Sequence, residues 1–278
     1  MRFERVLVVG AGQMGGGIAQ VMAASGRRVL LHDATPGAVD KGLAAMRKSL
    51  DRLAEKGAPH DPEEVLARVV QVDDVAPADL LVEAVVEDAD VKREIFRRAD
   101  AALPAEAVLA SNTSSIPIAS LAGVTNRPDR VIGMHFFNPV PVMTLVEVVR
   151  TPATSDEMLA EIVELARELG KTPAETNDFP GFVSNRILMP LVNEAVYALA
   201  DGVAEAEAID TIAKLGFNHP MGPLALADLI GLDTCVSIME VLRDGLGDAK
   251  YEPCPLLREH VAAGRLGRKS GRGFYDYS

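Results

Sequence analysis

The sequence has 278 residues, a formal net charge of −12, and hydrophobic residues at 48% of its positions. This length is large for one domain and ample for two, and the apolar content can form a sizeable core. The acidic balance, without a clustered basic face, argues against nucleic acid and membrane partners. Cys235 and Cys254 lack metal-binding or redox spacing, so we expect reduced thiols and no metal site. No signal segment precedes Val6 and no apolar run could span a bilayer, so we expect a cytoplasmic protein.

The first stretch of the chain has the pattern of a dinucleotide-binding turn. The apolar run 6–9 is followed by Gly10-Ala11-Gly12-Gln13-Met14-Gly15, by a helical pattern, and by a second apolar run that ends in Asp33. In this context a G-x-G-x-x-G motif predicts phosphates at the helix N-terminus and an acidic side chain on the adenosine ribose. The Asp33 carboxylate would repel a 2′-phosphate, which favours NAD over NADP. The alternative is an ordinary strand–helix–strand turn with an incidental acid.

Strand and helix patterns continue to alternate after Asp33. The spacing of apolar residues predicts helices over 36–56, 63–70, 91–101 and 155–169, and strands over 79–85, 108–113, 131–136 and 145–149. This alternation predicts an α/β fold with a Rossmann-type, doubly wound, mostly parallel sheet. Ligands of such sheets bind at the carboxyl ends of the strands. Glu87, Asn112, Thr113, Ser114 and His135 lie at predicted strand ends, and this coincidence points to a site there.

The remainder of the chain has helical patterns only. They cover residues 183–200, 205–215, 223–242 and 255–263, and a basic, glycine-rich loop follows at 264–273. The segment 177–181 breaks the preceding pattern, so we predict a domain of residues 1–181 followed by a smaller all-helical domain of residues 182–278. The 223–242 pattern is apolar around much of its circumference, so we expect that helix to be buried in its own domain or in a subunit contact.

His135 and Glu147 form the candidate catalytic pair. Removing hydride from an alcohol requires a base for the hydroxyl proton, and histidine titrates near neutral pH. Of the five histidines, His135 ends a buried strand on the ligand side, whereas His60 and His260 lie in polar stretches and are expected at the surface. Glu147 lies within an apolar strand, where an unpaired carboxylate is costly, and it could bond and orient His135. The alternatives are a buried core histidine and a Glu147 that faces solvent.

Polar residues near these strand ends are candidate substrate ligands. The hydroxyls of Ser114 and Ser115 could bond a substrate oxygen, and no G-x-S-x-G motif surrounds them to indicate a nucleophile. Asn185 opens the helical domain and could donate to a carbonyl, although helix capping alone would explain it.

Several motifs together resemble those of the short-chain L-3-hydroxyacyl-CoA dehydrogenase family. They are the glycine turn, Glu87 to Lys92, Ser111 to Ser115, His135-Phe136-Phe137-Asn138-Pro139, Leu145 to Val148, Pro180 to Arg186, and Gly267 to Tyr275. The resemblance covers essentially the whole chain in order, and within the family the chain is most similar to the bacterial 3-hydroxybutyryl-CoA dehydrogenases. The His-Phe-Phe-Asn-Pro element with its downstream glutamate is far more specific than the glycine turn.

The resemblance implies a role for each matching position. His135 is the general acid and base, Glu147 orients it, and Ser114 and Asn185 bind substrate. The implied NAD site comprises Gly10, Ala11, Gly12, Gln13, Met14, Gly15, Asp33, Glu87, Lys92, Ser114, Asn138 and Lys269. Ser49 and Lys56 match positions that contact coenzyme A, although a solvated helix face would also explain them. The helical domain is implied to form a homodimer.

The implied reaction is the NAD-dependent interconversion of (3S)-3-hydroxyacyl-CoA and 3-oxoacyl-CoA in fatty acid or butanoate metabolism. One alternative is a related dehydrogenase that acts on a sugar acid or on 3-hydroxyadipyl-CoA, in which the same His–Glu pair would serve. A second alternative, of another class, is a non-catalytic NAD-binding sensor or structural protein.

Overall fold

The computed structural model describes residues 2–277 and divides into two compact units between Asp178 and Phe179. The N-terminal unit contains the strands β1 (Arg5–Val9), β2 (Arg28–His32), β3 (Val69–Gln71), β4 (Leu80–Glu83), β5 (Val108–Ser111), β6 (Val131–Phe136), β7 (Leu145–Arg150) and β8 (Thr172–Asn177). Its helices are α1 (Gln13–Ala24), α2 (Ala38–Glu55), α3 (Pro62–Leu66), α4 (Ala89–Ala102), α5 (Ile118–Ala122) and α6 (Asp156–Glu168).

The strands form one eight-stranded sheet in the order β3-β2-β1-β4-β5-β6-β7-β8. Every neighbouring pair is parallel except β6 and β7, which are antiparallel. The first six strands of this order, β3-β2-β1-β4-β5-β6, have the strand order of a doubly wound dinucleotide-binding fold. The predicted Rossmann-type, mostly parallel sheet is therefore confirmed. Its central strands read as continuous apolar runs because helices cover both of their faces.

Two short edge strands differ from the predicted elements. The helix predicted over residues 63–70 ends at Leu66, and the residues after it form β3 against β2, so the second half of that prediction is wrong. The strand β8 was not predicted at all. Its sequence, Thr-Pro-Ala-Glu-Thr-Asn, lacks apolar alternation and contains Pro173, which is tolerated because β8 pairs on one side only.

The C-terminal unit consists of five α-helices within the described residues: α7 (Ser184–Ala200), α8 (Ala206–Gly216), α9 (Pro223–Ile230), α10 (Leu232–Leu246) and α11 (Pro255–Ala262). The predicted helical domain is thus confirmed, but the single helix predicted over 223–242 is wrong. Gly231 has a φ of +104°, a backbone conformation that an α-helix cannot contain, so α9 and α10 are separate. Leu224, Met239 and Leu242 of this segment are buried in the core of their own unit.

His260 lies in the interior of the C-terminal unit. Its polar neighbours in the sequence had predicted a surface position, and that prediction is wrong. Its side chain is buried, and its ring centroid lies 4.8 Å from that of Phe274. Burial, together with the nearby Arg265 charge, lowers the pKa of the His260 imidazole below its ordinary value. The apolar partner, Phe274, is distant from His260 in the sequence. The residues next to His260 therefore did not indicate that it is buried.

The segment that follows the basic, glycine-rich loop is held by one buried carboxylate. Asp228 of α9 accepts hydrogen bonds from the backbone N–H groups of Phe274 and Tyr275 and from the hydroxyl of Tyr277, each at 3.0 Å. Lys269 within the loop pairs with Asp233 of α10, with 2.7 Å between Nζ and Oδ2. These contacts fix the C-terminal segment to its own unit. Among residues 2–277, no helix has the length and apolar character needed to cross a membrane.

Candidate active site

The glycine turn joins β1 to α1 and leaves open space beside the helix N-terminus. A Cβ atom on Gly15 would lie 1.9 Å from the carbonyl oxygen of Gly10, so only glycine allows this close packing of helix and turn. A Cβ atom on Gly12 would meet no atom within 4 Å, and Gly12 makes no side-chain cap for α1. The N-terminus of α1 is therefore accessible, with N–H groups that a pyrophosphate can accept.

Asp33 closes the turn from the end of β2. Its Oδ2 accepts a hydrogen bond from the Ala11 N–H and its Oδ1 accepts one from the Thr35 N–H, each at 2.8 Å. Burial alone would raise the pKa of the Asp33 carboxyl, but these two backbone donors outweigh it and hold the pKa below its ordinary value. The side chain is therefore an anion at neutral pH, which is unfavourable for a 2′-phosphate beside it.

A cavity of about 660 Å³ opens beside the Asp33 carboxylate. Gly10, Gly12 and Asp33 line one part of it, and Val86, Val91 and Ile95 are among the apolar side chains of the remainder. An acidic group on one side and an apolar wall on the other suit a ribose and its adenine base. The open turn, the accessible helix end and this cavity together fit an adenine dinucleotide.

Glu87 organises the loop that follows β5. Its Oε1 accepts hydrogen bonds from the Thr113 hydroxyl at 2.5 Å, from the Ser115 hydroxyl at 2.9 Å and from the Ser114 N–H at 3.0 Å. Burial would raise the pKa of Glu87, but the Lys92 charge and these hydroxyl donors outweigh it and lower the pKa. The Ser115 hydroxyl is therefore directed to Glu87, whereas the sequence had also suggested it as a substrate ligand.

Lys92 is almost fully buried beneath this loop. Its Nζ lies 2.6 Å from Glu83 and 3.2 Å from Glu87. The ammonium group thus holds two carboxylates at the carboxyl edge of the sheet. Its predicted contact with the cofactor stays a prediction, and the contacts that the structure shows are those to Glu83 and Glu87.

His135 and Glu147 face each other across the antiparallel pair β6–β7. The two residues are partners in the strand register, and His135 Nδ1 lies 2.8 Å from Glu147 Oε2. Both side chains are buried, with 8% of His135 and 2% of Glu147 exposed. A carboxylate is an acceptor only, so Nδ1 carries the proton and the lone pair of the neutral ring is on Nε2. The predicted pair is thus brought together by strand register.

A second cavity, of about 390 Å³, lies along the same edge. Gly12, Gln13, Ser49 and Asn138 line it together with residues of α1 and α2. The structure therefore brings a predicted coenzyme A contact next to predicted cofactor contacts. Lys56 follows the last residue of α2, is exposed, and is not among the residues that line this cavity.

Two predicted site residues belong to the C-terminal unit. Asn185 is buried in the first turn of α7, and Lys269 is half-exposed beside Asp233. Their assignments to substrate and cofactor stay predictions.

Glu83 is the residue at this edge that the sequence reasoning missed. It is completely buried at the end of β4 and accepts hydrogen bonds from Lys92 Nζ and Ser111 Oγ, each at 2.6 Å. The signal was present, because an acidic residue ends the apolar run Leu80-Leu81-Val82. The same reasoning that singled out Glu147 would have found it.

Known proteins are similar to this chain over essentially its whole length. Residues 5–179 match the family model of the 3-hydroxyacyl-CoA dehydrogenase NAD-binding domain, and residues 181–277 match that of the 3-hydroxyacyl-CoA dehydrogenase C-terminal domain. A probable 3-hydroxybutyryl-CoA dehydrogenase of Bacillus subtilis is 56% identical over 282 residues, which cover 100% of this chain and 98% of that protein. The 3-hydroxybutyryl-CoA dehydrogenase of Bradyrhizobium diazoefficiens is 51% identical, over 99% and 95% of the two chains.

Solved structures agree with this similarity. The crystal structure of (S)-3-hydroxybutyryl-CoA dehydrogenase from Ralstonia eutropha has a TM-score of 0.94 and 50% sequence identity, and the match covers 99% of both chains. The fold and the site define an oxidoreductase that uses NAD. More narrowly, the chain belongs to the 3-hydroxyacyl-CoA dehydrogenase family.

The glycine turn yields a paired prediction. Gly12→Ala should leave the free energy of unfolding within about 1 kcal/mol of the wild type, because its Cβ meets open space, but should weaken NADH binding at least about tenfold. Gly15→Ala should lower the free energy of unfolding by more, since the turn and helix must separate. Denaturant unfolding and NADH fluorescence titration measure the two effects. Unchanged NADH affinity in Gly12→Ala would contradict the phosphate assignment.

Asp33 yields a prediction about cofactor choice. Asp33→Ala removes both the ribose acceptor and the charge that repels a 2′-phosphate, so it should weaken NADH binding about tenfold and NADPH binding by clearly less. Asp40→Ala, an exposed carboxylate on α2, is the matched control. Dissociation constants for both cofactors test this, and an equal loss for both would refute the ribose role.

Proposed function

We propose that this protein is an NAD-dependent dehydrogenase that interconverts (3S)-3-hydroxyacyl-CoA and 3-oxoacyl-CoA, with 3-hydroxybutyryl-CoA as its expected substrate. The observation that carries the proposal is the buried His135–Glu147 pair at the ligand edge of an NAD-binding sheet. The family membership and the names of the relatives support it. The proposal includes fatty acid or butanoate metabolism as the pathway and the cytoplasm as the location.

His135 is the proposed base. When bound, NAD supplies the acceptor for the hydride at C4 of its nicotinamide ring. As the C3–H bond of the substrate breaks, His135 Nε2 removes the hydroxyl proton and the C3–O bond becomes a carbonyl. Nδ1 keeps its hydrogen bond to Glu147, whose negative charge stabilises the imidazolium that forms. In the reverse direction the same imidazolium returns its proton to the substrate oxygen.

Each of the two predicted domains has its own proposed binding functions. We assign NAD binding to residues 1–181, and substrate binding and dimerisation to residues 182–278. Ser114, held by Glu87, and Asn185 are the proposed donors to the substrate oxygens. Ser49 on its cavity and Lys56 at the end of α2 are the proposed contacts of coenzyme A. Positioning supplies much of the rate acceleration and the base adds about 10²–10⁴-fold.

The first test is the oxidation of NADH with acetoacetyl-CoA, compared with NADPH and with free acetoacetate. Turnover with the CoA ester and NADH supports the proposal, and parallel assays with 3-oxoadipyl-CoA and with oxidised sugar acids separate the related dehydrogenases. NADH binding without turnover of any of these substrates would favour a non-catalytic NAD-binding protein.

The base assignment predicts the behaviour of His135→Gln. This variant should lower kcat by about 10²–10⁴-fold, because glutamine cannot accept the proton, while NADH affinity stays near that of the wild type. His60→Gln, at an exposed histidine of the same unit, should retain wild-type kcat. Steady-state kinetics and NADH titration measure both, and near-normal kcat in His135→Gln would remove the assignment.

Exposed apolar side chains support the proposed homodimer. On the C-terminal unit they include Ile187, Val203, Ile212, Leu215, Phe217 and Leu229. Ile212 and Leu215 are three residues apart on α8 and share one face, with 82% of Leu215 exposed. Apolar surface of this kind commonly marks a protein contact. The sequence had indicated 223–242, but the apolar side chains of Leu224, Leu232, Met239 and Leu242 in that segment are buried within its own unit.

Replacement of Leu215 tests the dimer. The wild type should have the molar mass of two chains, and Leu215→Glu should shift it towards one chain, because a charge would be buried in the contact. Lys214→Glu introduces the same charge at the neighbouring exposed position and should remain dimeric. Light scattering after size-exclusion chromatography gives the mass, and a monomeric wild type would contradict the proposal.

A further inference from the structure

Glu83, Lys92 and Glu87 form a chain of three charges at the carboxyl ends of β4 and β5. Glu83 is at one end, completely buried, with Lys92 Nζ at 2.6 Å. Glu87 is at the other end, 3.2 Å from the same ammonium group, and 39% of its side chain is exposed. Lys92 itself is only 1% exposed. One buried cation is therefore shared between an inaccessible carboxylate and an accessible one.

The sharing determines how much charge the accessible carboxylate presents. With two carboxylates and one ammonium group ionised, the net charge of the cluster is −1. A Lys92–Glu87 pair alone would be neutral. Lys92 Nζ lies closer to Glu83 than to Glu87. Glu83 therefore compensates much of the lysine charge and leaves more of the Glu87 charge uncompensated. Interactions between charges in such a partly buried site are weakly screened. The net charge of the cluster therefore also acts on groups that bind nearby.

We propose that Glu83 is a positioning residue which, through Lys92, keeps the negative charge at Glu87 and thereby favours the oxidised form of the cofactor over the reduced form. This inference rests on the proposed function: Ser114 is assigned to both the cofactor and the substrate, so the nicotinamide end of NAD, where hydride is transferred, is expected beside it. The nicotinamide ring is cationic in NAD⁺ and neutral in NADH. A net negative cluster beside the loop that Glu87 organises therefore stabilises NAD⁺ selectively.

The arrangement around Glu83 supports a role beyond packing. A carboxylate and an ammonium group buried as a pair are often no more stabilising than apolar residues of the same volume. Glu83 is nevertheless fully hydrogen-bonded, to Lys92, to Ser111 and to the Val85 N–H at 2.7 Å. These contacts fix its side chain so that its charge acts from one position.

The experiment measures the dissociation constants of NAD⁺ and NADH by calorimetry. Glu83→Gln makes the cluster neutral, so the ratio of the NAD⁺ constant to the NADH constant should rise by at least about tenfold, the effect of one charge within about 12 Å at an effective dielectric constant of about 20. The double variant Glu83→Gln/Lys92→Met restores a net charge of −1 through Glu87 alone. Its ratio should return towards the wild-type value.

Two further variants keep the test decisive. Ser111→Ala removes one hydrogen bond to Glu83 without changing any charge, so its ratio should equal that of the wild type. Glu87→Gln acts at the partly exposed end of the cluster, and it should raise the ratio as Glu83→Gln does even if the latter folds poorly. Wild-type turnover of acetoacetyl-CoA reports on the proposed function separately. Normal turnover together with an equal loss of NAD⁺ and NADH affinity in Glu83→Gln, or an unchanged ratio in Glu87→Gln, would overturn this inference alone.

Discussion

The pairing of buried charges at one edge of the sheet is the constraint on which the site depends. Glu147 and Glu83 lie at buried positions of two strands, and neither carboxylate can stay ionised there without a partner. Glu147 is bonded to His135, and Glu83 is bonded to Lys92. Both contacts join a strand to a different element, so the requirement for charge pairing also fixes where β6, β7, β4 and α4 lie relative to each other.

The direction of β7 makes the first of these pairs possible. Only residues 137–144 separate β6 from β7, which is too short for the crossover that a parallel strand requires. The chain therefore reverses, and antiparallel register sets His135 opposite Glu147. Lys171, just before β8, secures the reversal, because its Nζ donates to the carbonyl oxygens of Val140 at 2.6 Å and Met143 at 2.8 Å. The turn that carries Asn138 is thus held from the next strand along the sheet.

Features with a strong local signal were predictable from the sequence, and those set by tertiary contacts were not. The glycine turn and the long apolar strands have such signals, so the central sheet followed from the sequence. The strand β3 is too short, and the strand β8 too polar, to have a local sequence signal. Each forms by pairing with its neighbour at an edge of the sheet. The burial of His260 depends on Phe274, and the break at Gly231 depends on one backbone angle within an otherwise helical pattern.

Asp33 shows how one side chain couples the shape of the site to its selectivity. The same carboxylate that is expected to meet the ribose also accepts the Ala11 and Thr35 N–H groups, which close the turn on either side of it. These donors lower its pKa, and the retained charge is what disfavours a 2′-phosphate. A change that removes the charge therefore also removes bonds that shape the turn. Replacement of Asp33 thus loosens the glycine turn as well as removing the charge, so a route to tight NADP binding would require new acceptors for both backbone N–H groups as well as a cation for the phosphate.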